Sequence, residues 1–104
     1  MRKTYAVSWR NGTAGERHVG KLVFGAVSAS LVGRVRGRAS AQTIDVSVLE
    51  DVRLDRSPDG REHGRPSIVL ALGNGSLVRV VSLDQPGTVP EIAGRLAALA
   101  GAAR

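Results

Sequence analysis

The sequence predicts a mainly β domain, an antiparallel barrel or sandwich of seven strands capped by one C-terminal α-helix. Three observations carry that expectation. Apolar and polar residues alternate in short runs over the first four-fifths of the chain. Turn-forming residues separate the runs, and only the last stretch changes to a helical period. Strands first and a helix last suit a barrel or sandwich whose open end the helix closes.

Each element has its own signature. Tyr5, Val7 and Trp9 alternate with Ala6 and Ser8 as a first strand, which ends at Asn11-Gly12 and Gly15. His18 to Gly25 reads as a second strand, and Val27, Ala29 and Leu31 alternate with Ser28, Ser30 and Val32 as a third. Gly33 to Ala41 has no apolar period and reads as a loop; Ile44, Val46 and Val48 then mark a fourth strand. Val52 and Leu54 mark a fifth, closed by Ser57-Pro58-Asp59-Gly60. Ile68, Leu70 and Leu72 form the sixth, and Leu77 to Leu83 the seventh. Between these two, Asn74-Gly75 is the preferred pair for a two-residue turn with both φ angles positive. Ile92, Leu96 and Leu99 then recur at helical spacing, with Ala93 and Ala100 on the same face. Thr88 and Glu91 have capping-box spacing, Pro90 suits a first turn, and Gly94 suggests close packing against the sheet.

The predicted core is Tyr5, Val7, Trp9, Leu22, Phe24, Val27, Leu31, Ile44, Val46, Val52, Leu54, Ile68, Leu70, Leu72, Val78, Val80, Ile92, Leu96 and Leu99. Leu77 and Val81 fall on the other face with Arg79, an arrangement that implies a partner or dimer contact there.

At 104 residues the chain is one domain, 1–104, with no internal repeat. It has no cysteine, so disulfides, thiolate metal sites and cysteine nucleophiles are excluded. No apolar run approaches the roughly 20 residues that span a bilayer. Basic residues at the start are followed by no apolar stretch, so the expected location is the cytoplasm, with peripheral membrane attachment as a variant.

The strand order resembles the pleckstrin-homology-like (PH-like) superfold in its bacterial form. The resemblance spans nearly the whole chain. It rests on the strand count, a long loop after the third strand, Asn74-Gly75 between the last two strands, and the amphipathic helix from Thr88 to Ala100. Gly64-Arg65-Pro66-Ser67-Ile68-Val69-Leu70-Ala71-Leu72-Gly73-Asn74-Gly75-Ser76 is similar to the penultimate hairpin of such domains. The resemblance implies a binder of peptide, lipid or protein and does not select among them. Eukaryotic signalling members carry a Trp in the helix, and this helix has no aromatic residue. The phosphoinositide binders' Lys and Arg-x-Arg are not matched by Glu16-Arg17-His18-Val19-Gly20-Lys21.

Catalytic signatures are absent from the sequence, so no enzyme, cofactor or metal is expected. His18 and His63 lie on separate segments: His63 reads as a solvated side chain, and His18 as a strand-edge residue near Glu16 and Arg17. No His-x-x-x-His or dense acidic ladder supports a metal, and no serine sits in a nucleophile elbow. Asp45, Glu50, Asp51 and Asp55 form the main acidic cluster, and surface pairing with arginine is expected for Asp45 and Asp55.

Charge is the informative feature. The chain carries +6 overall, and residues 1–38 hold eight Lys and Arg against Glu16 alone. Arg34, Arg36 and Arg38 alternate after the third strand, while Arg10 and Arg17 flank the loop after the first. In a PH-like topology these two loops and the Asn74-Gly75 turn meet at the barrel mouth. The five arginines are therefore the candidate ligand site, with planar donors suited to phosphate or carboxylate. The expected function is a non-catalytic binding or adaptor module for an anionic ligand, an acidic peptide or a membrane surface. Nucleic acid is the weaker alternative, because Tyr5, Trp9 and Phe24 all fall on apolar faces and leave no stacking platform. Self-assembly into a homo-oligomer through strand edges is the third.

Overall fold

The computed structural model describes residues 4–12, 15–26, 28–45, 47–57, 65–84 and 87–102. Seven strands precede one helix: β1 (Thr4–Asn11), β2 (His18–Phe24), β3 (Ser28–Val35), β4 (Arg38–Asp45), β5 (Leu49–Asp55), β6 (Ser67–Leu72), β7 (Leu77–Ser82) and α1 (Thr88–Ala102). They form one antiparallel sheet in the order β4-β3-β2-β1-β7-β6-β5. Laid flat, its outer strands would be about 29 Å apart, at roughly 4.8 Å per spacing. The chain joins those two strands directly, from Asp45 to Leu49. Four Cα steps reach at most about 15 Å. The sheet therefore curls on itself, and its inner face becomes the core.

The core draws on every strand and on the helix: Trp9, Leu22, Leu31, Ile68, Leu70, Val78, Val80, Ile92 and Leu96 are almost fully buried. Tyr5, Val7, Phe24 and Ile44 are buried with them, as predicted. Val52, Leu54, Leu72 and Leu99 are only partly buried against this cluster, because each lies at its rim. Leu49 and Val89 join the core without having been expected, and Ala29 and Ala100 join it from faces the sequence had already marked as apolar. Val27 and Val46 lie outside the described residues, as do Pro58, Asp59, Gly60 and His63.

Two turns differ from the sequence reading. The stretch after β3 is no long loop: β3 continues to Val35, β4 begins at Arg38, and Arg36-Gly37 alone turns the chain. Both turn residues have positive φ, 51° and 78°, which matches the twist of a tight hairpin. The fourth strand accordingly lies at Arg38–Asp45 rather than Ile44–Val48. Arginine and small polar residues on an outer strand carry no apolar period, so this hairpin was not visible. Conversely, Asn74-Gly75 is not a two-residue turn. Gly75 N–H donates to Leu72 O (3.0 Å) and Leu72 N–H to Ser76 O (2.9 Å), a three-residue loop with positive φ at Gly75. The Asn74 side chain accepts from Ser76 N–H at 2.9 Å.

Helix α1 packs chiefly on β5 and also on β7. Its start is tied to the sheet: the Thr88 and Ser82 hydroxyls share a hydrogen bond of 2.6 Å, and Tyr5 donates to the Glu91 carboxylate. Tyr5 meets Phe24 edge-on at 5.9 Å, and the Arg95 guanidinium lies 6.0 Å from the Phe24 ring centre. Arg65 holds the chain leaving β7 by donating to Ser82 O and Asp84 O. Gly94 does not pack closely, contrary to expectation; a Cβ there would meet open space. Val81 is buried within the monomer and Leu77 half-buried, so the expected exposed apolar patch beside Arg79 is not formed.

Two outcomes follow for stability. Leu96→Ala opens a cavity in the plug and should cost about 2–5 kcal/mol, lowering the midpoint of thermal unfolding by more than about 10 °C. Gly94→Ala should raise the midpoint by about 4–8 °C, the return on roughly 1 kcal/mol of helix propensity. Circular dichroism melts check both.

Burial raises the Tyr5 pKa above 10.0, and its hydrogen bond to Glu91 adds to the rise. The unfolded chain thus loses this proton first as pH increases. The Tyr5 contribution to stability should be complete below pH 10.0 and fall away as pH climbs through the higher folded value. Tyr5 is the chain's single tyrosine, so ultraviolet absorbance follows its titration directly. Denaturant melts across that window should show Tyr5→Phe losing the pH slope.

Candidate functional site

Three loops gather at one end of the barrel. The register of β1 on β2, of β2 on β3 and of β3 on β4 places residues 15–17 beside the Arg36-Gly37 turn. Gly12 N–H donates to Leu77 O at 2.7 Å, which brings in the β6–β7 loop. Gly12 has φ of 75°, and a Cβ on Gly15 would lie 2.3 Å from Asn11 O, so glycine is needed at both places for this bend.

All five expected arginines stand at this end, in different settings. Arg10 donates to Gly15 O at 2.8 Å and Arg34 to Gly37 O at 3.1 Å, each bracing a loop. Arg36 Nε pairs with Glu16 Oε1 at 2.9 Å, joining the two loops across an exposed contact. Such exposed pairs contribute little to stability and open readily for a competing anion. Arg36 and Arg38 line a shallow concavity with Glu16 and Val35. Arg10 and Arg34 lie instead on the outer face of the sheet, Arg10 opposite Arg79 and Arg34 between Val19 and Ala39. Arg17 is half-buried, and its Nε is buried without a hydrogen bond.

The structure adds two residues, counted in the charge balance but not placed in the candidate site. Glu16 is the counter-charge that occupies Arg36, and Lys21 extends the basic outer face through its place opposite Val32. The alternation of β2 carried the signal for Lys21, but only the strand pairing shows its neighbours.

His18 is not a solvated edge residue. Its ring stacks on Trp9 at 5.0 Å and 19°, and its Nδ1 hydrogen-bonds Ser40 Oγ at 2.8 Å. Further along the same strands, Gly20 and Gly33 face each other across β2 and β3. A Cβ on either would lie 2.1 Å from a backbone oxygen of the opposite strand, so the two backbones approach as only paired glycines allow.

Elsewhere charge is locally balanced. Arg79 pairs with Asp55 at 3.3 Å and donates to Ser67 Oγ, and Arg53 approaches Asp51 at 3.5 Å. Arg53, Asp55 and Arg79 border a second concavity with Leu54, Val69 and Leu77. The Ser57 hydroxyl and N–H hold the Asp55 carboxyl below the usual carboxylate range, helped by Arg79. Asp45 is held low by Ser47 N–H and hydroxyl rather than by the arginine expected. Among the described residues no group of three or more His, Cys, Asp or Glu could hold a metal ion.

No protein-family model matches the sequence, and no curated protein matches it. Among solved structures, the pleckstrin homology (PH) domain of USP37 is similar over 100% of both chains, with a TM-score of 0.66 and 14% identity. That likeness concerns the fold, and it agrees with the strand order, the curled sheet and the C-terminal plug described above. The chain has a PH-like fold.

Proposed function

We propose that this protein is a non-catalytic binding module whose basic end engages an anionic membrane surface, acting from the cytoplasm at the membrane periphery. The observation that supports it is the one-sided placement of Arg17, Arg34, Arg36 and Arg38, with Glu16 the main opposing charge. Arg36 and Arg38 sit in and around a shallow concavity that a phosphate or carboxylate group can enter. The inner leaflet's acidic lipids supply that partner, each nearby cation contributing on the order of 1 kcal/mol. A single-strand nucleic-acid reading is disfavoured, because Tyr5, Trp9 and Phe24 are buried and offer no base-stacking surface.

Sedimentation with vesicles containing phosphatidylserine tests the reading. Binding should weaken steeply between about 0.02 and 0.15 M salt, because exposed charges are screened beyond roughly 8 Å at the upper value. The double change Arg36→Ser and Arg38→Ser should lose about 2 kcal/mol, or roughly thirtyfold in affinity. Glu16→Gln frees Arg36 and should gain up to about fivefold. Arg53→Ser with Arg56→Ser, on and directly after the acid-rich β5, is the control and should lose far less. Equal losses from the two doubles, or no binding at low salt, would refute the membrane reading; retention of an acidic peptide instead would transfer the site to a protein ligand.

A further inference from the structure

A strand at the edge of a sheet offers unpaired N–H and C=O groups, and proteins blunt that offer with bulges, charges, proline or a covering element. The edges here are β4 and β5. Strand β5 is blunted in several ways. Its register shifts between Leu49 and Asp51, it carries Glu50, Asp51, Arg53 and Asp55, and α1 packs against it. Among the described residues, strand β4 shows none of these devices. It pairs with β3 without a register shift from Arg38 to Asp45, contains no Pro or Lys, and is charged only at its two ends.

The hydrogen-bonding parity shows which groups β4 leaves open. Gly25 N–H donates to Ser28 O at 2.8 Å, so that pair is a hydrogen-bonded one. Antiparallel ladders alternate. Val23↔Ser30, Lys21↔Val32 and Val19↔Arg34 are therefore hydrogen-bonded too, and Ala29, Leu31, Gly33 and Val35 turn their amides toward β4. Their partners there are Ile44, Gln42, Ser40 and Arg38. The tight turn agrees, since a two-residue hairpin closes on a hydrogen-bonded pair, here Val35↔Arg38. Ala39, Ala41 and Thr43 accordingly direct both N–H and C=O away from the sheet. All three are exposed.

The outer face behind these residues is patterned. Ala39 continues the row Val19–Arg34, and Ala41 continues the row Lys21–Val32. Val19 and Val32 are 44% and 48% exposed, so the alanine methyls leave them uncovered. We propose that the β4 edge is a docking site for an extended segment of a partner protein, which adds as an eighth, antiparallel strand. The segment carries an apolar residue opposite Ala41 and an acidic residue two places later, opposite Ala39. Main-chain bonds hold such a strand, and alternate side chains select it. The apolar side chain reaches over the Ala41 methyl to Val32. The carboxylate reaches over Ala39 toward Arg34, which spends one of its donors on Gly37 O, with Arg36 and Arg38 at the same end. Two strand spacings amount to about 10 Å, a gap that an Arg and a Glu side chain bridge together. The basic end thus selects an acidic segment and sets its direction.

The probe is a short fluorescent peptide of threonines with one Val followed two places later by one Glu, titrated by anisotropy. Saturable binding is expected, together with slowed hydrogen exchange at the Ala39, Ala41 and Thr43 amides. Replacing the peptide's Glu by Lys should weaken binding at least about tenfold. Ala41→Pro removes only an outward N–H, so the ladder to β3 stays intact. It should weaken the peptide at least about tenfold and leave vesicle binding unchanged, because Ala41 has no part in the basic concavity. Ala41→Val keeps the N–H and should bind. If Ala41→Pro does not fold, hydrogen exchange on the unaltered chain decides. The proposal is overturned by no binding at about 1 mM peptide, by equal affinity of the Glu and Lys peptides, or by protection appearing elsewhere. A dimer in light scattering with these three amides already protected would also overturn it, since a second copy would then hold the edge.

Discussion

The short link between β4 and β5 is the constraint on which the rest depends. Two strands at opposite ends of a seven-stranded order are joined by the residues between Asp45 and Leu49, far too few to cross a flat sheet. The sheet has to curl, and the Gly20–Gly33 pair is one place where its strands come closer than any side chain would permit. Curling turns one face into a core around Trp9, Leu22 and Leu31 and leaves a space that Ile92 and Leu96 of the helix fill. The Val48 carbonyl accepts from Gly73 N–H at 2.7 Å, which anchors the link to the β6–β7 loop.

The same curl separates the charges. Hairpin connections bring the Arg36-Gly37 turn beside residues 15–17, and the ion pair from Arg36 to Glu16 spans them. The acids Glu50, Asp51 and Asp55 sit on β5 at the other edge, where Arg53 and Arg79 answer them. A polar molecule results, with one end carrying net positive charge and one flank close to neutral. Because the sheet curls without closing, it also keeps two edges with opposite character. One is bulged, charged and packed against a helix; the other is regular, small-sided and open.

Core alternation was legible in the sequence because each of Tyr5, Val7 and Trp9, or Ile68 and Leu70, repeats at the period of a pleat. The helix was legible from the spacing of Ile92 and Leu96. The β3–β4 hairpin was not, since the inward side of β4 carries Ser40 and Gln42 before Ile44 and so shows no apolar period. Arg36 at positive φ is likewise an uncommon turn residue. The basic residues of the candidate site were found by counting charge. Their division between the concavity and the outer face was not, because it depends on strand pairing.

Pattern along the chain was enough to assign the class of element at most positions, the inward side of each core strand and the end where positive charge collects. Local period and composition encode those properties, and they survive whatever the strands pair with. Only the tertiary structure decided that Val81 is buried, that His18 lies on Trp9, that Gly94 meets nothing and that Ala39, Ala41 and Thr43 point outward. Each of those facts is a relation between segments distant in the chain. Register and curl set such relations, and a single strand's alternation contains neither.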